Sequence, residues 1–262
     1  MYCINFYLMR SLFLSLIIAL ACSAVSSAQN AYEPKIFTDS DGYNINYQEL
    51  VPENVKPDKK YPLVIFMHGA GERGSDNKIQ LLFGSQMFLN PVNREKHPAY
   101  VIFPQCPTED YWSFTKRPSS FIYLKAEEEI APVSKAVMEL IDTYLANPNV
   151  DKSRVYIMGL SMGGMATFDL VSRYPEKFAA AIPICGAADT EMISKVKGVS
   201  WRIFHGDADD IVPVECSRRA YKALKEAGAD VEYIEFPGCN HGSWNPAFNY
   251  PGFMDWLFKQ KR

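Results

Sequence analysis

The stretch that most constrains this chain is the pentapeptide Gly159-Leu160-Ser161-Met162-Gly163. The apolar run Val155-Tyr156-Ile157-Met158 leads into it with β-strand character, and helix-compatible sequence, Met165 to Val171, leads out. A serine at so sharp a strand-to-helix turn sits in a strained conformation with its hydroxyl projecting above the sheet. Small residues at both ends of Gly-x-Ser-x-Gly let strand and helix approach closely enough to make the turn. The pentapeptide alone is a weak signal; its flanks are what the turn demands, and they are present.

The rest of the chain supplies a sheet for that turn. Residues 31–50 read as a hairpin, with Tyr43, Ile45 and Tyr47 alternating against polar neighbours and Asp41-Gly42 as the turn. Pro62 to Met67 and Tyr100 to Phe103 are continuous apolar runs, which read as strands buried on both faces. Further strands are expected at 179–184, 201–205 and 231–236. Helices are expected near 79–89, over 125–146 with Asn147-Pro148 ending it, over 214–227 and over 253–259. Buried strands alternating with helices make an α/β fold: a mostly parallel central sheet with helices on both faces.

The first 28 residues read as a signal peptide. Arg10 is their only charge, an apolar core follows, and Ser26-Ser27-Ala28 suits cleavage before Gln29. The expected product is an exported protein, periplasmic or extracellular, with 29–262 as one catalytic domain and no membrane span. Cys22 raises a lipid anchor as the minor alternative, although Ala19-Leu20-Ala21 before it is a poor lipobox. Losing Arg10 takes the formal charge from −3 to −4, with no basic run, which argues against nucleic acid as a partner. The four remaining cysteines, Cys106, Cys185, Cys216 and Cys239, lack zinc-site spacing, and no metal or other cofactor is expected. Export permits disulfides, and a Cys216–Cys239 bridge would join two loops and stabilise by about 3 kcal/mol.

A serine hydroxyl needs a base to take its proton as it attacks. Of four histidines, His68 and His205 each end a buried strand in a His-Gly turn and read as structural, and His97 lies in a charged stretch and reads as a solvated loop residue. His241, in the loop after the last strand, can reach back over the sheet and is the expected base. The base needs a carboxylate to hold its tautomer. Asp209 is the expected one, with Asp207 nearer the strand end and Asp210 as a possible helix cap. The N–H groups of Met162, at the start of the helix after Ser161, and of Ala70, in a glycine-rich loop, are the expected oxyanion donors.

The combination of His68-Gly-Ala-Gly-Glu-Arg-Gly74, Pro104-Gln-Cys-Pro107, Gly159-Leu-Ser-Met-Gly-Gly164, His205-Gly-x-x-Asp-x-x-Val-Pro213 and His241-x-x-Trp244 resembles secreted bacterial α/β-hydrolases. The similarity lies near the prolyl-oligopeptidase, dienelactone-hydrolase and polyhydroxybutyrate-depolymerase groups, and it spans essentially all of residues 29–262. The order Ser161, Asp209, His241 is that of α/β-hydrolases. The resemblance implies a serine esterase working through an acyl-enzyme, with acyl groups on plant polysaccharide, feruloyl or acetyl, as the specific expectation. Dienelactone hydrolases use a cysteine nucleophile, and Ser161 departs from that. A prolyl-oligopeptidase-like peptidase is the alternative, followed by a catalytically dead binding module and a lyase on the same scaffold.

About fifteen residues separate the strand ending near Cys185 from the next, too few for a lid domain, so an open site is expected for a small or polymer-linked ester. Tyr111, Trp112, Phe114 and Trp244 are candidates for an aromatic wall, with Trp112 and Trp244 singled out for substrate binding. Glu72 and Arg73 are expected to pair with each other or brace the loop. Oligomeric state is not legible.

Overall fold

The structure, a computed structural model, describes residues 31–114 and 119–262. The expected leader 1–28, with Cys22, lies outside the described residues. Pro34–Arg262 forms one compact unit.

Eight strands build a single sheet: β1 (Glu33–Thr38), β2 (Asn44–Leu50), β3 (Tyr61–Met67), β4 (Tyr100–Gln105), β5 (Val150–Leu160), β6 (Ala180–Ile184), β7 (Ser200–Gly206) and β8 (Val231–Phe236). Their order is β1-β2-β4-β3-β5-β6-β7-β8. β2 runs antiparallel to β4, and every pairing from β4 through β8 is parallel. All residues of β3, β4 and β6 are buried, which requires cover on both faces. The helices Pro132–Ala146 and Met162–Arg173 supply much of that cover, placing Val133, Val137, Leu140 and Ile141 of the one and Phe168, Leu170 and Val171 of the other in the main core. This is the α/β-hydrolase fold, with only the short helix Thr190–Ile193 between β6 and β7.

The strand order also decides where a ligand can sit. β4 lies on one side of β3 and β5 on the other, so the chain leaves β3 and returns across it with the connections diverging at the carboxyl ends. Open α/β sheets bind ligands in the crevice this creates. Met67, the last residue of β3, pairs with Gly159 of β5, so the loop from His68 to Gly74 lies beside Ser161.

The structure corrects several element boundaries. The helix expected over 125–146 begins only at Pro132, after Ala131 in extended backbone with ψ 137°. Proline is accommodated in a first turn, but it pushes the residue before it out of the helical region, so Ile130 cannot belong to the helix despite its spacing. The stretch 79–89 is split into a 3-10 turn, Ile79–Leu81, and a short helix, Ser85–Leu89, because Gly84 between them has φ 78°. Pro91–Lys96, which includes part of the charged stretch before His97, is a helix capped by the Asn90 side chain. His97 just beyond it is not solvated. Its side chain is 10% exposed, its Nε2 lies 2.8 Å from Asp255 Oδ1, and its ring stacks on Phe258.

The helix after Ser161 sits directly on the β3 backbone. A Cβ on Gly163 would lie 1.9 Å from the Met67 carbonyl oxygen and 2.7 Å from that of His68. In an unobstructed helix, alanine for glycine stabilises by about 1 kcal/mol. Here Gly163→Ala is expected to do the reverse, destabilising by about 1–3 kcal/mol in chemical denaturation, because the helix must move off the strand.

Candidate active site

Ser161 follows directly on β5 and caps the start of the helix Met162–Arg173 with φ 54° and ψ −115°, a backbone conformation that L-residues adopt only under constraint. Its own N–H is anchored to the Ile184 carbonyl at 2.9 Å, which fixes the turn to β6. The hydroxyl faces His241, with 2.8 Å from Ser161 Oγ to His241 Nε2. On the far side of the ring, His241 Nδ1 lies 2.7 Å from Asp209 Oδ2. The structure thus brings together three side chains that lie on three different strand ends and are up to 80 residues apart.

Of the three aspartates left open by the sequence, only Asp209 turns inward. Asp207 is exposed and accepts the Gly238 N–H, and Asp210 is exposed and does not cap the following helix, Glu215–Glu226. Asp209 Oδ1 accepts the N–H groups of Ile211 and Val212, each at 2.9 Å, and Oδ2 faces both His241 and His205 Nε2, the latter at 3.2 Å. Burial pushes its carboxyl up, but the hydrogen bonds from His205, His241 and Val212 outweigh that and hold it well below the usual carboxylate range. The group is therefore held in its ionised form.

Met162 opens the helix after Ser161 and Ala70 opens the 3-10 turn Ala70–Glu72, so intrahelical bonding claims neither N–H. Both residues line the same cavity as Ser161 and His241. His68 holds the glycine-rich loop from beneath: its Nδ1 donates to the Gly69 carbonyl at 2.6 Å and its Nε2 accepts the Cys106 N–H at 2.9 Å. Burial lowers its pKa to about 4, so the ring is a neutral structural post.

The cavity holds about 360 Å³, within the range of small-molecule sites. Tyr111, Phe114 and Trp244 line it as the aromatic-wall reading anticipated, joined by Phe83 and Phe121 and, on the aliphatic side, by Leu160, Met165, Ile211 and Val212. Trp112 does not. It is fully buried, donates its indole N–H to the His68 carbonyl at 3.0 Å, and packs edge-on against the His68 ring, so it braces the loop from within the core. Phe83 and Phe121 carried no sequence signal, because they come from irregular segments whose approach to Ser161 is purely tertiary.

Glu72 and Arg73 do not pair. Arg73 donates to the carbonyls of Ala70, Thr108 and Asp110 and lies over the Tyr111 ring at 4.5 Å, tying the oxyanion loop to the aromatic wall. Glu72 lines the cavity, is 6% exposed, and has one carboxyl oxygen without a partner. The Cys216–Cys239 bridge that export would permit is absent, and all four described cysteines are free thiols. Cys216 is instead packed with Phe114, Met165 and Val212 in a small apolar cluster behind the cavity. Among the described residues one trio, Cys185, Asp209 and His241, clusters closely enough to hold a metal, with ligand atoms within 4.8 Å of one another. Its carboxylate already receives N–H donors on both oxygens, which is the arrangement of a proton relay.

Comparison with known proteins identifies the family. Residues 51–250 match the family model described as phospholipase/carboxylesterase. The chain belongs to the phospholipase/carboxylesterase family. It is a carboxylesterase-type α/β-hydrolase, an enzyme of the serine ester hydrolase kind. A crystal structure of a thermostable esterase superposes with a TM-score of 0.82 at 39% identity, over 90% of this chain and 64% of the other. A probable carboxylesterase of Arabidopsis thaliana, SOBER1-like, is 26% identical over 74% of this chain and 77% of its own. At 15% identity, where the likeness shows fold alone, a ferulic acid esterase from Anaeromyces mucronatus superposes with a TM-score of 0.63 over 87% of this chain and 90% of the other.

Burial raises the pKa of Glu72, partly offset by the N–H groups of Gly69 and Glu72 itself. A carboxyl whose folded pKa lies above its unfolded value contributes stability at low pH and loses it as pH rises through the folded pKa. Glu72→Gln, which is never charged, is therefore expected to gain more in melting temperature over the native protein at pH 8 than at pH 5. An equal change at both would show that Glu72 ionises in the fold without penalty.

Proposed function

We propose that this chain is an exported carboxylesterase in which residues 29–262 form one catalytic domain and Ser161, Asp209 and His241 act as a triad. The observation that carries the reading is the unbroken line of contacts from Ser161 Oγ to His241 to Asp209, at 2.8 and 2.7 Å, opening on an aromatic cavity. In this mechanism Ser161 Oγ attacks the ester carbonyl and its proton passes to His241 Nε2. Asp209 stabilises the imidazolium and keeps Nδ1 protonated. The N–H groups of Met162 and Ala70 receive the developing oxyanion, assisted by the positive end of the helix that Met162 opens. His241 then returns the proton to the departing alcohol, and water repeats the sequence on the acyl-enzyme.

For the substrate, the walls are the guide. Five aromatic side chains around one serine favour an acyl group with its own flat apolar face, so we assign hydroxycinnamoyl esters, such as feruloyl groups on plant polysaccharide, as the preferred class, with acetyl esters second. The fold shared with the ferulic acid esterase is compatible with this choice. The short β6–β7 connection leaves the serine reachable by an ester displayed on a polymer. Export rests on the N-terminal sequence; among the described residues no helix is long and apolar enough to cross a membrane.

Ser161→Ala is expected to lower turnover by about 10⁴-fold or more with an unchanged melting profile; retained activity would refute the triad assignment. In a panel of p-nitrophenyl acetate, butyrate and octanoate, methyl ferulate, acetylated xylan and a prolyl anilide, methyl ferulate should give the highest kcat/KM and the anilide none. Preferred anilide cleavage would place the enzyme with the peptidases instead. Trp244 touches both His241 and Phe83, with ring centroids 5.6 and 5.2 Å away. Trp244→Ala should therefore raise KM for methyl ferulate by about tenfold, and that for p-nitrophenyl acetate, whose acyl group carries no ring, by less.

A further inference from the structure

We propose that His205 is a positioning residue for the triad, acting through Asp209 rather than on the substrate; this rests on the triad reading above. His205 has no exposed surface, so its polar atoms must be served from within. Its Nε2 lies 2.9 Å from the Val212 carbonyl, which can only accept, so that nitrogen carries a proton. The same nitrogen lies 3.2 Å from Asp209 Oδ2, a longer second contact to the oxygen that also receives His241. The opposite ring nitrogen, Nδ1, meets the Ser217 hydroxyl at 2.7 Å, which holds the ring in this orientation.

The sequence makes this device local. His205 is the penultimate residue of β7, and Asp209 and Val212 lie in the loop that follows it, so the strand that delivers the carboxylate also delivers a fixed donor beside it. That donor does two things. It adds a second restraint on Oδ2 beside His241, while the N–H groups of Ile211 and Val212 hold Oδ1, so the carboxylate keeps its orientation. It also shares the negative charge of Oδ2, which weakens the pull of that oxygen on the His241 Nδ1 proton. A base that is neutral near pH 7 accepts the serine proton; one already protonated cannot.

The other titratable groups facing this pair do not compete for the role. The thiols of Cys185 at the end of β6, Cys216 on the helix Glu215–Glu226 and Cys239 in the His241 loop are all pushed up by burial, Cys216 to about 12, and stay neutral. Glu235 on β8 is paired with Arg218, and Asp207 sits at the exposed rim holding the Gly238 N–H.

Two polar replacements separate the two ring nitrogens. His205→Gln can place an amide N–H where Nε2 stood; His205→Asn places its amide where Nδ1 stood and leaves Asp209 without the donor. The expected result on p-nitrophenyl acetate is a kcat lowered about tenfold in the Asn variant with KM nearly unchanged. The acid limb of its kcat/KM profile should move up by about half a pH unit, and the Gln variant should lie near the native enzyme. Equal profiles for all three, or equal impairment of both variants, would overturn the proposal. Imidazole nitrogen NMR on the native protein decides it independently of the variants' folding: His205 Nε2 must stay protonated from pH 5 to 9, and an unprotonated Nε2 would overturn the proposal. If the native protein cleaves no ester and Ser161→Ala changes nothing, the functional reading fails, while the NMR result still stands for or against the His205–Asp209 contact.

Discussion

Everything in the site hangs on one contact between bare backbones. Gly163 rests against the Met67 and His68 carbonyls with no room for a single carbon between them. That closeness lets the helix after Ser161 start immediately at the strand end, and it holds Ser161 at a positive φ that a looser junction would relax. The same contact sets the helix start beside the loop that follows β3. Met162 and Ala70, the two proposed oxyanion donors, are therefore neighbours because β3 and β5 are paired and their continuations are pressed together.

Around that junction, charge is managed by enclosure. Asp209 is the one carboxylate of its loop that is buried, and it remains ionised only because N–H groups reach both of its oxygens. A buried charge without such partners would neutralise or destabilise the fold. Glu72 shows the opposite case: equally enclosed, with one oxygen unpartnered, its pKa is driven up. Two carboxyl groups near one serine are thus pushed in opposite directions by their hydrogen-bond supply. The loop that carries Glu72 is braced by Arg73 and Trp112, both bonded to backbone carbonyls, so its shape depends little on salt bridges.

The motifs were legible because each is short and chemically necessary. Ser161 announced itself through a turn that few sequences can make, and His241 through elimination among four histidines. Asp209 is the expected carboxylate, with Asp207 and Asp210 as lesser candidates; what sets it apart physically is that it alone faces inward after the turn closes. The aromatic wall was half legible. Tyr111, Phe114 and Trp244 do line the cavity, while Trp112, between two of them in sequence, points into the core. Neighbouring side chains in an irregular segment have no fixed period, so sequence cannot tell wall from core there. The helix start at Pro132 and the burial of His97 were missed because local charge and spacing were read without proline's backbone restriction or the packing of the C-terminal helix.

By itself the sequence determined the class of fold, the order of Ser161, Asp209 and His241 along the chain, and the absence of a lid-sized insertion between β6 and β7. These follow from strand-buried apolar runs, turn chemistry and segment length, all of which are local. Only the tertiary structure decided which aspartate is inside, that Cys216 fills an apolar cluster rather than bridging to Cys239, that Phe83 and Phe121 complete the cavity, and that His205 reaches Asp209. Each of these is a question of where a side chain points once distant segments are packed, and packing is a property of the whole sheet and its cover, not of any window of residues.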